Sequence, residues 1–172
     1  SVKETLEELS EGIKHYEDRL KYGLNKEFNP RKVLNDNPDD ITDKIYGNNN
    51  VIGPTAEGAL HGTHVAGIIA AVRHNNIGID GVADHVRIMP VRTVPDGDEY
   101  DKDVALALRY AIDNGAKVIN TSFGKEFSPH KEWVYDALKY AAEKDVLIVN
   151  AAGNDTKNVD VQLTFPDDNI NE

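Results

Sequence analysis

The feature that most constrains this chain is the alternation of short apolar runs with amphipathic segments over residues 86–150. Residues 86–94 are rich in β-branched and apolar side chains and stop at the turn Pro95-Asp96-Gly97. A helical pattern follows, with Val104, Ala107, Leu108 and Ala111 on one face, Asp101 or Asp103 placed to cap its start, and Gly115 to close it. Residues 117–121 read as a second strand. Ser128-Pro129 then reads as cap and first helical residue, opening a helix that turns Val134, Ala137, Leu138 and Ala141 inward. Residues 146–150, short and almost wholly apolar, form the third strand. Strand, helix, strand, helix, strand at these lengths needs crossover connections. It predicts an α/β fold with a parallel sheet and helices on both faces.

The first third of the chain has another texture. Residues 1–58 are polar and charge-dense, and read as a helical and loop insertion beside a sheet-bearing part over residues 59–172. Val2, Leu6, Leu9, Ile13, Tyr16 and Leu20 recur at spacings of three and four, which predicts an extra N-terminal helix with one apolar stripe. Such a helix lies on a neighbouring layer or binds a partner. Asn29-Pro30, Asn37-Pro38, Asp39-Asp40 and Gly47-Asn48-Asn49-Asn50 are turn chemistry. Residues 61–71 are mostly small or apolar and of helix length, which predicts a buried central helix that other backbones approach closely.

Composition narrows the function classes. The 172 residues suffice for one domain with a sizeable core, and 40% hydrophobic with 28% charged residues is a globular balance. No cysteine is present, so there is no disulfide framework, thiol nucleophile or cysteine-based zinc site. Thirty acidic against 19 basic residues give a formal charge of -11. That argues against nucleic acid and anionic membranes as partners, and fits a secreted or cell-envelope protein as well as many cytosolic ones. The longest apolar run, residues 65–72, is too short to span a bilayer, and no N-terminal stretch reads as a signal peptide. The serines are only four: Ser1, Ser10, Ser122 and Ser128.

In an open parallel sheet, ligands bind outside the carboxyl ends of the strands. Two loops leave such ends: Ser122-Phe123-Gly124 and Ala151-Ala152-Gly153-Asn154. Small residues there let a substrate backbone come close, and an asparagine amide can donate to developing negative charge. The same residues also suit ordinary β-α turns. His61 opens its helix, where the positive end of the dipole disfavours an imidazolium and leaves a neutral base. A metal-ligand reading of His61 with His64 is weak, because the helical zinc motif needs a spacing of four and a glutamate. His64 is expected in the core, and His15, His74, His85 and His130 on the surface.

Together these residues resemble the subtilisin-like serine proteases, the subtilase family. His61-Gly62-Thr63-His64-Val65-Ala66-Gly67 is similar to the family's histidine motif, Val118-Ile119-Asn120-Thr121-Ser122-Phe123-Gly124 to its cleft segment, and Ala151-Ala152-Gly153-Asn154 to its oxyanion segment. Their order and the intervening Gly81-Val82-Ala83 agree, so the likeness covers residues 59–154. The resemblance implies that His61 takes a proton from a serine hydroxyl as it attacks a peptide carbonyl. Asn154 would donate to the oxyanion, Ser122, Phe123 and Gly124 would pair with an extended peptide, and Ala151, Ala152 and Gly153 would wall the primary specificity pocket. The implied partner is a peptide or protein substrate.

The departures matter as much. The family's nucleophile stands in Gly-Thr-Ser-x-Ala and its aspartate in Asp-Ser-Gly or Asp-Thr-Gly, and neither motif occurs here. Asp39, Asp40 and Asp43 lack the strand context. The reading is therefore a fragment with the histidine alone of the triad, inactive by itself, whose aspartate precedes Ser1 and whose serine follows Glu172. The alternative is a non-catalytic peptide-binding or regulatory module. Exposed apolar edges of a truncated sheet could drive dimerisation. Asp96, Asp98, Glu99, Asp101 and Asp103 cluster where the family's second substrate-flanking strand begins, which reads either as a preference for basic side chains or as a solvated acidic loop. Many relatives bind calcium after the histidine helix. His74-Asn75-Asn76-Ile77-Gly78-Ile79-Asp80 offers oxygen ligands without a clear register, so no metal site or cofactor is predicted.

Overall fold

The computed structural model describes residues 2–95, 97 and 99–167. Two compact units divide at Asn37 and Pro38. The larger unit comprises Pro38–Glu172.

In the first unit, α1 (Val2–Asp18) runs into a π-helical turn, Arg19–Gly23, and a 3-10 turn, Pro30–Leu34. The predicted stripe forms on α1, but α1 has no buried residue. The turn at Pro30 follows from its neighbours: Asn29 accepts the Arg31 N–H at 2.9 Å, and proline supplies a first helical residue that needs no donor. Arg31 and Asp36 form a buried ion pair.

The second unit contains α2 (Leu60–Ala70), α3 (Asp101–Asp113), β1 (Val118–Thr121), α4 (Lys131–Glu143) and β2 (Leu147–Asn150). The strands are parallel and joined through α4, with Ile119 opposite Ile148 and Thr121 opposite Asn150. The α/β class with a parallel sheet is what the chain forms, as a two-stranded core. Val104, Ala105 and Leu108 of α3 interlock with Val134 and Ala137 of α4, and Ile119 and Ile148 pack beneath both helices. Register partners share a sheet face, so α3 and α4 cover the same one, where the order of elements predicted helices on both faces. On the opposite face Val118, Leu147 and Val149 are 61%, 61% and 46% exposed.

Both helices end in the same device. After α3, Gly115 adopts φ +89 while its N–H bonds Ile112 and that of Ala116 bonds Ala111. After α4, Asp145 takes φ +55, with Asp145 N–H on Ala142 and Val146 N–H on Ala141. Each is a Schellman closure that satisfies orphan carbonyls and turns the chain into the following strand.

Three further expectations need correction. Residues 86–94 form no strand. Pro90 sits in mid-run without an N–H to give a ladder, and Arg92 reaches instead to the carbonyls of Ile52 and Gly58 at 2.8 and 3.1 Å. Helix α2 forms but has no buried residue, and His64 is exposed. Small side chains bury only where another backbone covers them, and α2 meets the 3-10 turn Glu57–Ala59 and the Gly81–Ala83 backbone. Third, neither Asp101, Asp103 nor Ser128 is a helix cap: the N-caps are Tyr100 and His130, and neither caps through its side chain. Among the described residues, no helix is long and apolar enough to cross a membrane.

Candidate functional site

The parallel register brings the two loops together. Thr121 and Asn150 are opposed at the carboxyl ends of β1 and β2, and the Ala151 N–H donates to the Thr121 carbonyl at 3.1 Å. Ser122-Phe123-Gly124 and Ala151-Ala152-Gly153 thus leave neighbouring strands side by side. The junction is braced from beneath. The buried Thr121 hydroxyl donates to Asn150 Oδ1 at 2.6 Å, and Asn150 Nδ2 donates to the Pro166 carbonyl at 2.7 Å. Asn150 is therefore a brace, engaged through both its amide oxygen and its amide nitrogen.

Within the first loop, Ser122 Oγ accepts from Asn120 Nδ2 at 2.8 Å. Phe123 is half-buried and packs on the α3–α4 core, so it anchors the loop. Gly124 is exposed, and its N–H donates to Glu99 Oε1 at 3.1 Å. Lys125 pairs with Phe165 in both directions, at 3.0 and 2.7 Å. A side chain on Gly124 would bring a Cβ within 3.4 Å of the Phe165 carbonyl. Ala151, Ala152, Gly153 and Asn154 are all exposed, with Gly153 at φ +86.

His61 lies in the first turn of α2, exposed and without a hydrogen bond or ion pair among the described residues; the Asn154 amide is likewise unengaged there. The structure thus unites the two strand-end loops and leaves His61 on a helix of its own. The carboxyl end of α2 is held by its motif partner: Gly81, Val82 and Ala83 donate to the carbonyls of Ala71, Ile68 and Ile69. A Cβ on Gly81 would lie 2.4 Å from the Ala71 nitrogen, so only glycine fits that approach.

The acidic cluster resolves into different roles. Asp96 and Asp98 lie outside the described residues. Asp103 accepts from the Tyr46 hydroxyl at 2.5 Å. Asp101 is buried and receives Lys125 Nζ at 2.8 Å, Ser128 Oγ at 2.7 Å and the His130 N–H at 2.8 Å. Burial pushes its carboxyl up, and those hydrogen bonds with the Lys125 charge more than reverse this, leaving it below the ordinary carboxylate value. Its place on the inward stripe with Val104 and Leu108 was the signal that it faces the core. Nearby, Glu99, Val104, Phe123, Lys125, Tyr135 and Phe165 are among the residues lining a shallow surface depression.

His130, expected to be an unremarked surface residue, stacks on Trp133 with centroids 4.0 Å apart and planes within 7°. Its ring nitrogens face Asp39 at 3.0 Å and Glu132 at 3.5 Å. In the loop after α2, Asp80 accepts the His74 N–H at 2.8 Å and Asn75 Oδ1 the Ile77 N–H at 2.9 Å. Among the described residues, no three His, Asp or Glu side chains converge to hold a metal.

Known proteins are similar to this chain. A family model described as the subtilase family matches residues 9–171. The chain is 45% identical over 95 residues to the Thermophilic serine proteinase of Bacillus sp. (strain AK1), covering 55% of this chain and 23% of that protein. It is 43% identical over 107 residues to the Cell wall-associated protease of Bacillus subtilis (strain 168), covering 62% and 11%. It is 33% identical over 143 residues to Subtilisin-like protease 1 of Plasmodium falciparum (isolate 3D7), covering 80% and 20%. The chain thus spans a quarter or less of the length of these relatives. No solved structure gives a significant match.

Proposed function

The chain belongs to the subtilase family, and on that premise we propose that it supplies the histidine base and the substrate cleft of a serine endopeptidase. The observation that supports the cleft is the opposition of Thr121 and Asn150, which sets Ser122–Gly124 beside Ala151–Gly153. In this reading an extended peptide lies along Ser122-Phe123-Gly124 as an added strand, with main-chain hydrogen bonds fixing its register. Ala151, Ala152 and Gly153, small and exposed, leave room for the side chain before the cleaved bond. His61 takes the nucleophile's proton and returns it to the leaving amine. Asn154 Nδ2, a neutral donor with no competing acceptor among the described residues, serves the oxyanion. Losing one such donor costs roughly 10²–10³ in kcat.

The chain holds no Gly-Thr-Ser-x-Ala motif, and the hydroxyls of Ser122 and Ser128 are engaged with Asn120 and Asp101. In our reading the chain by itself binds peptide without forming an acyl-enzyme. The acidic balance and a relative named as cell-wall-associated support a place outside the cytoplasm. The test is paired: a fluorophosphonate probe and a peptide-binding assay on the chain as written. No covalent labelling with measurable peptide binding is the expected result. Labelling at any serine overturns the inactivity, and absence of peptide binding overturns the cleft.

A further inference from the structure

We propose that Glu99 is a built-in competitor for the peptide-pairing edge: its carboxylate holds the Gly124 N–H that the carbonyl of a docking peptide would take. The inference rests on the cleft reading above and adds a gate to it. Gly124 is the exposed end of the segment Ser122-Phe123-Gly124, and its N–H donates to Glu99 Oε1 at 3.1 Å across 25 residues of sequence. A hydrogen bond to a carboxylate is stronger than one to a neutral carbonyl, so an incoming peptide must displace the better acceptor.

The gate is hung on a fixed post. The Glu99 carbonyl accepts Lys125 Nζ at 2.5 Å, and the same ammonium reaches buried Asp101 at 2.8 Å. The Lys125 backbone is paired on both sides with Phe165. The main chain at Glu99 is thereby tied to the residue that follows Gly124, and opening requires only rotation of the glutamate side chain. Such a rotation restores the carboxylate to water while the peptide gains the N–H. Glu99 therefore lowers peptide affinity without blocking the site outright, and favours peptides that form several edge hydrogen bonds over those that form one.

The experiment uses the chain as written, with Glu99→Ala and Glu99→Gln, circular dichroism confirming the fold of each. Two readouts are needed: hydrogen exchange at the Gly124 amide without peptide, and fluorescence anisotropy with a mixture of fluorescein-labelled uncharged hexapeptides. Glu99→Ala is expected to accelerate Gly124 exchange by about tenfold, as loss of a charge-assisted hydrogen bond requires, and to tighten peptide binding several-fold. Glu99→Gln, a neutral acceptor of the same shape, falls between. Unchanged Gly124 exchange overturns the inference. So does equal peptide binding by wild type and Glu99→Ala, which leaves the cleft reading standing. Binding by neither protein overturns the cleft reading and the competition with it.

Discussion

The Asp101 carboxylate and the Lys125 ammonium meet at 2.8 Å with both side chains almost out of solvent. Around them converge α3, the segment after β1 and the start of α4, through Ser128 Oγ and the His130 N–H. Because the folded carboxyl titrates below its unfolded value of about 3.9, its contribution is present above that pH and is lost as pH falls through the lowered folded value. Asp101→Asn should destabilise the chain by about 3 kcal/mol at neutral pH, since it leaves a nearly buried ammonium without its counter-charge. It should also flatten the acid limb of the stability profile. Urea unfolding at pH 7 and at pH 3 measures both effects, and wild type and variant should differ less at the lower pH.

His130 gives a second pH dependence of opposite sense. The hydrogen bond to Asp39 raises its imidazole, burial opposes this, and Glu132 adds to the rise. A raised folded value means the contribution is complete below the unfolded value of about 6.5 and fades as pH climbs through the folded one. Trp133 is the chain's one tryptophan and lies 4.0 Å from that ring, so its fluorescence should follow the titration. Asp39→Asn should move the midpoint to lower pH. An unmoved midpoint would show that Asp39 is not the partner that holds the proton.

The Schellman closures predict substitutions of opposite sign. A Cβ on Gly115 would meet no atom within 4 Å, so Gly115→Ala at φ +89 carries a purely conformational cost of about 1 kcal/mol. Asp145 already bears that cost at φ +55, and Asp145→Gly should be stabilising by less than about 1 kcal/mol. Thermal unfolding of the two variants should shift in opposite directions from wild type.

The two faces of the sheet should respond unequally to truncation. Leu108, 3% exposed within the α3–α4 core, should cost about 2–5 kcal/mol as Leu108→Ala. Val118→Thr, on the exposed face, should stay within about 0.5 kcal/mol. Chemical denaturation distinguishes the pair, and equal losses would mean that the open face is covered in solution.

What could be read beforehand followed from how local its cause was. Helices α3 and α4 were legible because Val104, Leu108 and Ala111, and Val134, Ala137 and Ala141, repeat at helical spacing, and Gly115 marks a stop. The loops at the strand ends were legible as motifs. Residues 86–94 misled because side-chain composition reports a preference for extended backbone, whereas a strand exists only with a neighbour to bond, and Pro90 subtracts a donor. Asp101 misled by its acidic neighbours, although its phase on the helix points inward. The brace at Asn150 depends on the Pro166 carbonyl sixteen residues on, and the Glu99–Gly124 bond spans 25, distances at which no periodicity speaks.

The pairing of Thr121 with Asn150 has one more consequence. Adjacent strands stand about 4.8 Å apart wherever they bond, whatever side chains they bear. The mouth between the two loops is therefore gauged by backbone geometry. Exposed residues such as Ala151 and Ala152 are free to be exchanged or recharged while the gauge stays constant, so variation in what is recognised need not disturb where it is held.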